Sequence, residues 1–251
     1  MNYNHILYEE DYSEWFHPHL LIHMKAICEF ITYWHNNHFK VPELEELTEE
    51  QLAALDWFYG LPRYANNQAV AIPLFSEKLC NNLIQYATDR NEDFKPAEHD
   101  EEQYKIPEVV LQKHDPALYE RVLDFAQNSL FFLCYLHWGK YPNYVDSIQL
   151  AQFKMNKIRT TNWHHDGLSE MTCLVNLDPS LFTGGGTDIR TSIFSYDHID
   201  NVQKGHVLLF NGRMTLHKSH PITSGVRNIL VFWLNAGYME RGEKNDAEGS
   251  Y

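Results

Sequence analysis

Near residue 138 the hydrophobic period of this chain changes, and few folds accommodate both halves. Before that point apolar residues recur at helical steps. After it they alternate every second residue in short runs, which read as strands at 148–155, 171–176, 187–194, 206–210 and 228–234. Turn-forming pairs separate the runs: Asp178-Pro179, Gly184-Gly185-Gly186, Lys204-Gly205 and Asn211-Gly212. Helices first and many short strands after predict an α+β fold whose C-terminal half is a β-sandwich or barrel.

The helical half is patterned in detail. From residue 19 to 34, Leu20, Met24, Ile27, Ile31 and Trp34 form one apolar stripe. Thr48-Glu49-Glu50-Gln51 has the form of a capping box ahead of Leu52, Leu55 and Phe58, and Gly60 with Pro62 ends that helix. A strand-like run at 70–75 precedes Ser76, which caps a helix carrying Leu79, Cys80, Leu83, Ile84 and Ala87. Residues 89–103 are polar and contain Pro96, as a loop or internal boundary would. One long helix is expected over 116–138, with its stripe running from Leu118 through Ser129 to Leu133. The division that follows is a helical extension at 1–69, a main domain at 70–240 and a polar, frayed tail at 241–251. The many N-terminal aromatics could line a substrate groove, but at helical spacing core packing is their commoner use.

With 34 acidic against 20 basic residues, the net charge of −14 argues against a phosphate backbone as partner. The first residues lack a basic segment followed by an apolar run, and no stretch approaches the length of a membrane helix. Cys28, Cys80, Cys134 and Cys173 are widely spaced, which suits free thiols in a reducing, cytoplasmic setting.

Chemistry concentrates in two stretches. In Trp163-His164-His165-Asp166, an extended backbone would turn His164 and Asp166 to one face and His165 away. An H-x-D alone arises often by chance. Fifty-one residues after Asp166 comes His217, and ten after that Arg227, in a strand whose same-parity neighbours are Ile229, Val231 and Trp233. Two imidazoles and one carboxylate on one face suit an octahedral iron(II) with open positions. A buried arginine needs an anion, and only Asp197 and Asp200 supply acid between residues 191 and 233. An external carboxylate therefore fits it, with a structural ion pair as the competing use. His220 competes with His217 as third ligand, whereas His206 on an apolar strand reads as a satisfied core histidine.

Taken together, His164-x-Asp166, Phe182-x-Gly184-Gly185-Gly186, Lys204-Gly205, His217 and Pro221-x-Thr223-x-Gly225-x-Arg227 resemble the iron(II)/2-oxoglutarate-dependent oxygenases. Within them the pattern is most similar to the catalytic domain of procollagen lysyl hydroxylases, with prolyl 4-hydroxylases next. The similarity spans about residues 70–235 and reaches weakly to Tyr104-Lys105-Ile106-Pro107. It implies a double-stranded β-helix (jelly-roll, cupin-like) with the helical lobe and further helices packed on its sheet. Iron(II) would be held by His164, Asp166 and His217, the family spacing selecting His217 over His220. Arg227 would bind the distal carboxylate of 2-oxoglutarate. The implied activity is that of an oxidoreductase, a dioxygenase consuming O2 and converting 2-oxoglutarate to succinate and carbon dioxide while hydroxylating an aliphatic C–H. Ascorbate is the accessory reductant such chemistry can use.

Two departures stand out. Where relatives carry a tyrosine whose hydroxyl helps hold 2-oxoglutarate, this chain has Phe153, and Thr172 is the candidate replacement. The R-x-S pattern of some relatives is also absent, since Asn228-Ile229 follow Arg227. The substrate stays open between a peptidyl lysine or proline and a free amino acid or other metabolite. A catalytically silent metal- or ligand-binding β-helix is the reading from another class. Oligomeric state is not legible.

Overall fold

A computed structural model of the chain describes residues 7–8, 11–37, 42–96 and 106–236. The expectations for the first five residues, for 97–105 and for the tail from 241 lie outside the described residues. The helices are α1 (Pro18–Asn36), α2 (Glu49–Tyr59), α3 (Glu77–Asp89), α4 (Leu111–His114), α5 (Pro116–Gln127) and α6 (Leu130–Trp138). The patterned caps are present. Thr48 accepts from the Gln51 N–H while the Gln51 side chain accepts from the Thr48 N–H, and Ser76 accepts from the Leu79 N–H. The single helix expected over 116–138 is instead two. At Ser129 the backbone leaves the helical region (φ −144°, ψ −74°), and its hydroxyl donates to the Phe125 carbonyl at 2.6 Å. A serine that satisfies a terminal carbonyl makes such a break inexpensive. The new direction then buries α6, which is apolar on all sides.

The strands are β1 (Arg63–Tyr64), β2 (Ala69–Pro73), β3 (Glu108–Val110), β4 (Tyr144–Lys154), β5 (Met171–Asn176), β6 (Phe182–Gly184), β7 (Thr187–Arg190), β8 (Tyr196–Ile199), β9 (His206–Phe210), β10 (His217–Ser219) and β11 (Ile222–Asn235). β5 and β9 coincide with the alternating runs. The run from 187 stops at Arg190, because Thr191, Ser192 and Ser195 bond one another in a turn. β11 begins six residues before the expected 228, since its first part pairs with β6.

The larger sheet runs β1-β2-β9-β5-β11-β4-β3, with β6 added on β11, and the smaller runs β10-β7-β8. Period-two alternation sorts the larger sheet into two faces. Val70, Ile72, Ile148, Leu150, Cys173, Val175, Val207, Leu209, Leu230 and Phe232 point to the helices. They share one apolar cluster with Trp15, Leu20, Ile27, Phe58, Phe75 and Phe125, so the N-terminal helices and the sheet have a common core. The opposite parity, with Ala151, Phe153, Ile229 and Val231, lines the interior between the sheets. All four cysteines are free, three of them buried. Among the described residues no helix is long and apolar enough to cross a membrane.

Candidate metal and carboxylate site

Backbone pairing brings the two chemical stretches together. His164 and His217 form an antiparallel bridge, with N–H to carbonyl distances of 2.9 and 3.0 Å. Two residues on, the Asp166 N–H donates to the Gly212 carbonyl at 3.0 Å. His164, Asp166 and His217 thereby converge, each presenting an atom within 4.8 Å of the others. Nε2 of His164 lies 3.5 Å from Asp166 Oδ1, and Nε2 of His217 lies 3.6 Å from Asp166 Oδ2. His165 is exposed at the rim of the same cavity and takes no part in the cluster.

The donor set fits a divalent ion. Nδ1 of His164 bonds the Asn162 carbonyl at 2.8 Å, and Nδ1 of His217 bonds the Thr215 carbonyl at 2.9 Å. A carbonyl can only accept, so Nδ1 must donate, and a neutral ring then turns the Nε2 lone pair toward Asp166. Ligand atoms about 2.1 Å from one first-row ion, at right angles, stand about 3 Å apart, close to the separations here. Burial opposes charge on His164, yet the Asp166 carboxylate and the Asn162 carbonyl outweigh it and hold its pKa above the ordinary value. Burial pushes His217 down to about 4. For Asp166 burial works upward, but the neighbouring His164 and His217 imidazoles, in their protonated forms, and the Thr172 hydroxyl hold it below the usual carboxylate range. The Thr172 hydroxyl donates to Asp166 Oδ2 at 2.5 Å, so its partner is the carboxylate of this cluster. Gly212 leaves no room for more: a Cβ there would stand 2.2 Å from Thr172 Oγ1.

Arg227 lies across the same interior. Its side chain is buried, and burial lowers its pKa to about 10. It donates through one terminal nitrogen to the Gly186 carbonyl (3.1 Å) and to Ser219 Oγ (2.7 Å). Nε has no partner, and among the described residues no acidic side chain pairs with it. Its strand neighbour on β4 is Phe153, whose ring centroid lies 5.5 Å from the guanidinium carbon. Gly186 presents its carbonyl from a backbone at φ +99°, where a Cβ would stand 2.5 Å from the Ile199 carbonyl. The glycine run is thus a close backbone passage beside the site. A cavity of about 590 Å³ is lined by His164, Asp166, Thr172, His217 and Trp233, and by Phe153 and Ser219, against which Arg227 packs.

His220 belongs elsewhere. On β10, His217 and Ser219 face the cavity, while Lys218, and His220 just after the strand, reach Asp188 on the side away from it. Asp188 is fully buried, with His198 Nδ1 at 2.6 Å, His220 Nδ1 at 3.2 Å and Lys218 Nζ at 3.4 Å. Burial would raise its pKa, but the bonds from His198 and His220 win and lower it. Asp188→Ala should destabilise the protein by about 1–3 kcal/mol in urea unfolding, because three partly exposed donors lose one buried acceptor. The depressed pKa means that the carboxylate's contribution is present above its ordinary pKa near 3.8 and lost as pH falls through the lower folded value. His206 lines a second, separate cavity of about 360 Å³ with His19 and Trp57.

Sequence reasoning missed Ser219. The signal was available, since a residue two after His217 on a strand shares its face.

No family model matches the chain, and no curated protein matches it. Solved structures do resemble it. A prolyl hydroxylase of Trichoplax adhaerens, in complex with a hypoxia inducible factor peptide fragment, is 13% identical, covering 75% of this chain and 94% of that one (TM-score 0.55). The non-heme alpha-ketoglutarate-dependent epimerase SnoN of nogalamycin biosynthesis is 14% identical, covering 80% and 92% (TM-score 0.56). An oxidoreductase of the 2OG-Fe(II) oxygenase family from Burkholderia pseudomallei is 12% identical, covering 77% and 96% (TM-score 0.54). The chain has the jelly-roll fold of the iron(II)/2-oxoglutarate oxygenases.

Proposed function

We propose that this protein is an iron(II)- and 2-oxoglutarate-dependent dioxygenase that hydroxylates an aliphatic C–H, with a peptidyl lysine or proline as substrate. The observation that carries this reading is the meeting of His164, Asp166 and His217 on one cavity, with an anion-seeking Arg227 packed against Ser219 and Phe153 of its wall. His164, Asp166 and His217 would hold iron(II), and Arg227 the far carboxylate of 2-oxoglutarate. The metal with its cosubstrate supplies the oxidising chemistry. The chain's own part is to orient and enclose. Asn162 and Thr215 carbonyls fix the imidazole tautomers, and Thr172 holds the carboxylate in one orientation. Phe210 packs edge-on against His217 at 4.6 Å, and Phe153, Ile229 and Val231 keep the interior apolar. A silent binding protein has no physical use for all four of His164, Asp166, His217 and Arg227.

Thr172→Val keeps the shape and removes that orienting bond. Its iron(II) affinity should fall about tenfold to a hundredfold in anaerobic titration.

A second reading keeps the chemistry and changes the substrate to a free amino acid or other small metabolite. The likeness to an epimerase of nogalamycin biosynthesis favours it as much as the peptide-bound hydroxylase favours the first. Succinate release separates the two. With iron(II), 2-oxoglutarate and oxygen present, lysyl and prolyl peptides and free amino acids are supplied in turn. Stimulation by peptides alone supports the first reading; stimulation by free metabolites alone replaces it with the second.

A further inference from the structure

Where Arg227 packs behind the cavity wall, the wall carries a second donor, Ser219. We propose that the Ser219 hydroxyl binds the far carboxylate of 2-oxoglutarate together with Arg227, a role that rests on the functional reading above. A carboxylate offers about four lone-pair sites, and one guanidinium edge satisfies two of them. More donors are needed in a buried pocket, where an unmet oxygen is costly. Phe153, the strand neighbour of Arg227, brings a ring and no hydroxyl.

Ser219 is built for the task. Its N–H donates to Thr161 Oγ1 at 2.8 Å, its carbonyl accepts from Thr160 Oγ1 at 2.5 Å, and its Oγ accepts from Arg227 at 2.7 Å. Those three bonds fix the residue against the guanidinium and use every group except the hydroxyl proton. That proton has no acceptor among the described residues, and the side chain lines the cavity. A group held so firmly, with one donor left over beside a buried cation, suits an anion that both can contact. The same arrangement explains how a chain with Phe153 can bind a dicarboxylate. The missing aromatic hydroxyl is replaced from the opposite sheet, on β10 rather than β4.

Ser219→Thr and Ser219→Val test this, since they differ only by a hydroxyl in place of a methyl group. Binding is read anaerobically with iron(II) through tryptophan fluorescence, as Trp233 lines the cavity. Ser219→Val should weaken 2-oxoglutarate about tenfold to a hundredfold, the loss of one bond to a charged group, while Ser219→Thr stays close to wild type. 2-Oxobutyrate, which lacks the far carboxylate, should bind all three proteins equally. Equal 2-oxoglutarate affinity in the Thr and Val variants would overturn the proposal, as would a parallel loss for 2-oxobutyrate, which reports general damage. Wild type failing to bind 2-oxoglutarate at all would overturn the functional reading, and the proposal with it.

Discussion

His217→Ala, and equally His164→Ala or Asp166→Ala, should abolish stoichiometric iron(II) binding and 2-oxoglutarate turnover in a chain that remains folded. Loss of partners that merely orient metal ligands costs about tenfold to a hundredfold in affinity, so loss of a ligand itself should exceed a hundredfold. The three atoms meet because a backbone bridge joins residues 53 apart in sequence, and that bridge does not depend on the side chains. Circular dichroism of each variant should therefore match wild type. His220→Ala is the informative companion. Its side chain contacts Asp188 on the other face of β10, so iron binding should be unchanged. Iron loss in His220→Ala with retention in His217→Ala would reverse the assignment.

Arg227→Met is expected to separate stability from binding. The guanidinium is buried with two neutral acceptors and no acidic partner among the described residues. Replacing such a charge by an apolar side chain of similar size is commonly neutral or stabilising. The midpoint of thermal unfolding should accordingly hold or rise. Affinity for 2-oxoglutarate should fall steeply, because removing one partner of a buried charge pair costs about 2–5 kcal/mol, a factor of roughly thirty to several thousand. An Arg227→Met protein that unfolds readily yet binds 2-oxoglutarate normally would make the arginine a structural element.

Much of this was legible in the residues, and the parts that were not have physical reasons. β5 and β9 were readable because each keeps one face toward the helices and one toward the cavity, so alternation is clean. The capping box at Thr48 carried its own boundary. β1, β3, β6, β8 and β10 hold two to four residues each, too few to display a period. The break at Ser129 was hidden because serine continued the stripe on a helical wheel while its hydroxyl served the preceding turn. The candidate metal-ligating residue types were conspicuous once His217 stood at a spacing that completes the H-x-D pair. Ser219 was not, because serine is common and its partnership with Arg227 exists only once the β10–β11 hairpin folds back. Thr172, read as a 2-oxoglutarate contact, lines the cavity and donates to Asp166, a bond that only the register between β5 and the H-x-D segment reveals.

The proposed site binds iron(II) through His164, Asp166 and His217 and 2-oxoglutarate through Arg227. Anaerobic titration of iron(II)-loaded protein with 2-oxoglutarate, followed by visible absorption, tests it most directly. A metal-to-ligand charge-transfer band should appear, saturate at one equivalent, and give way to succinate when oxygen is admitted; Asp166→Ala should show neither. Wild-type protein with no band and no succinate, indistinguishable from Asp166→Ala, would contradict it.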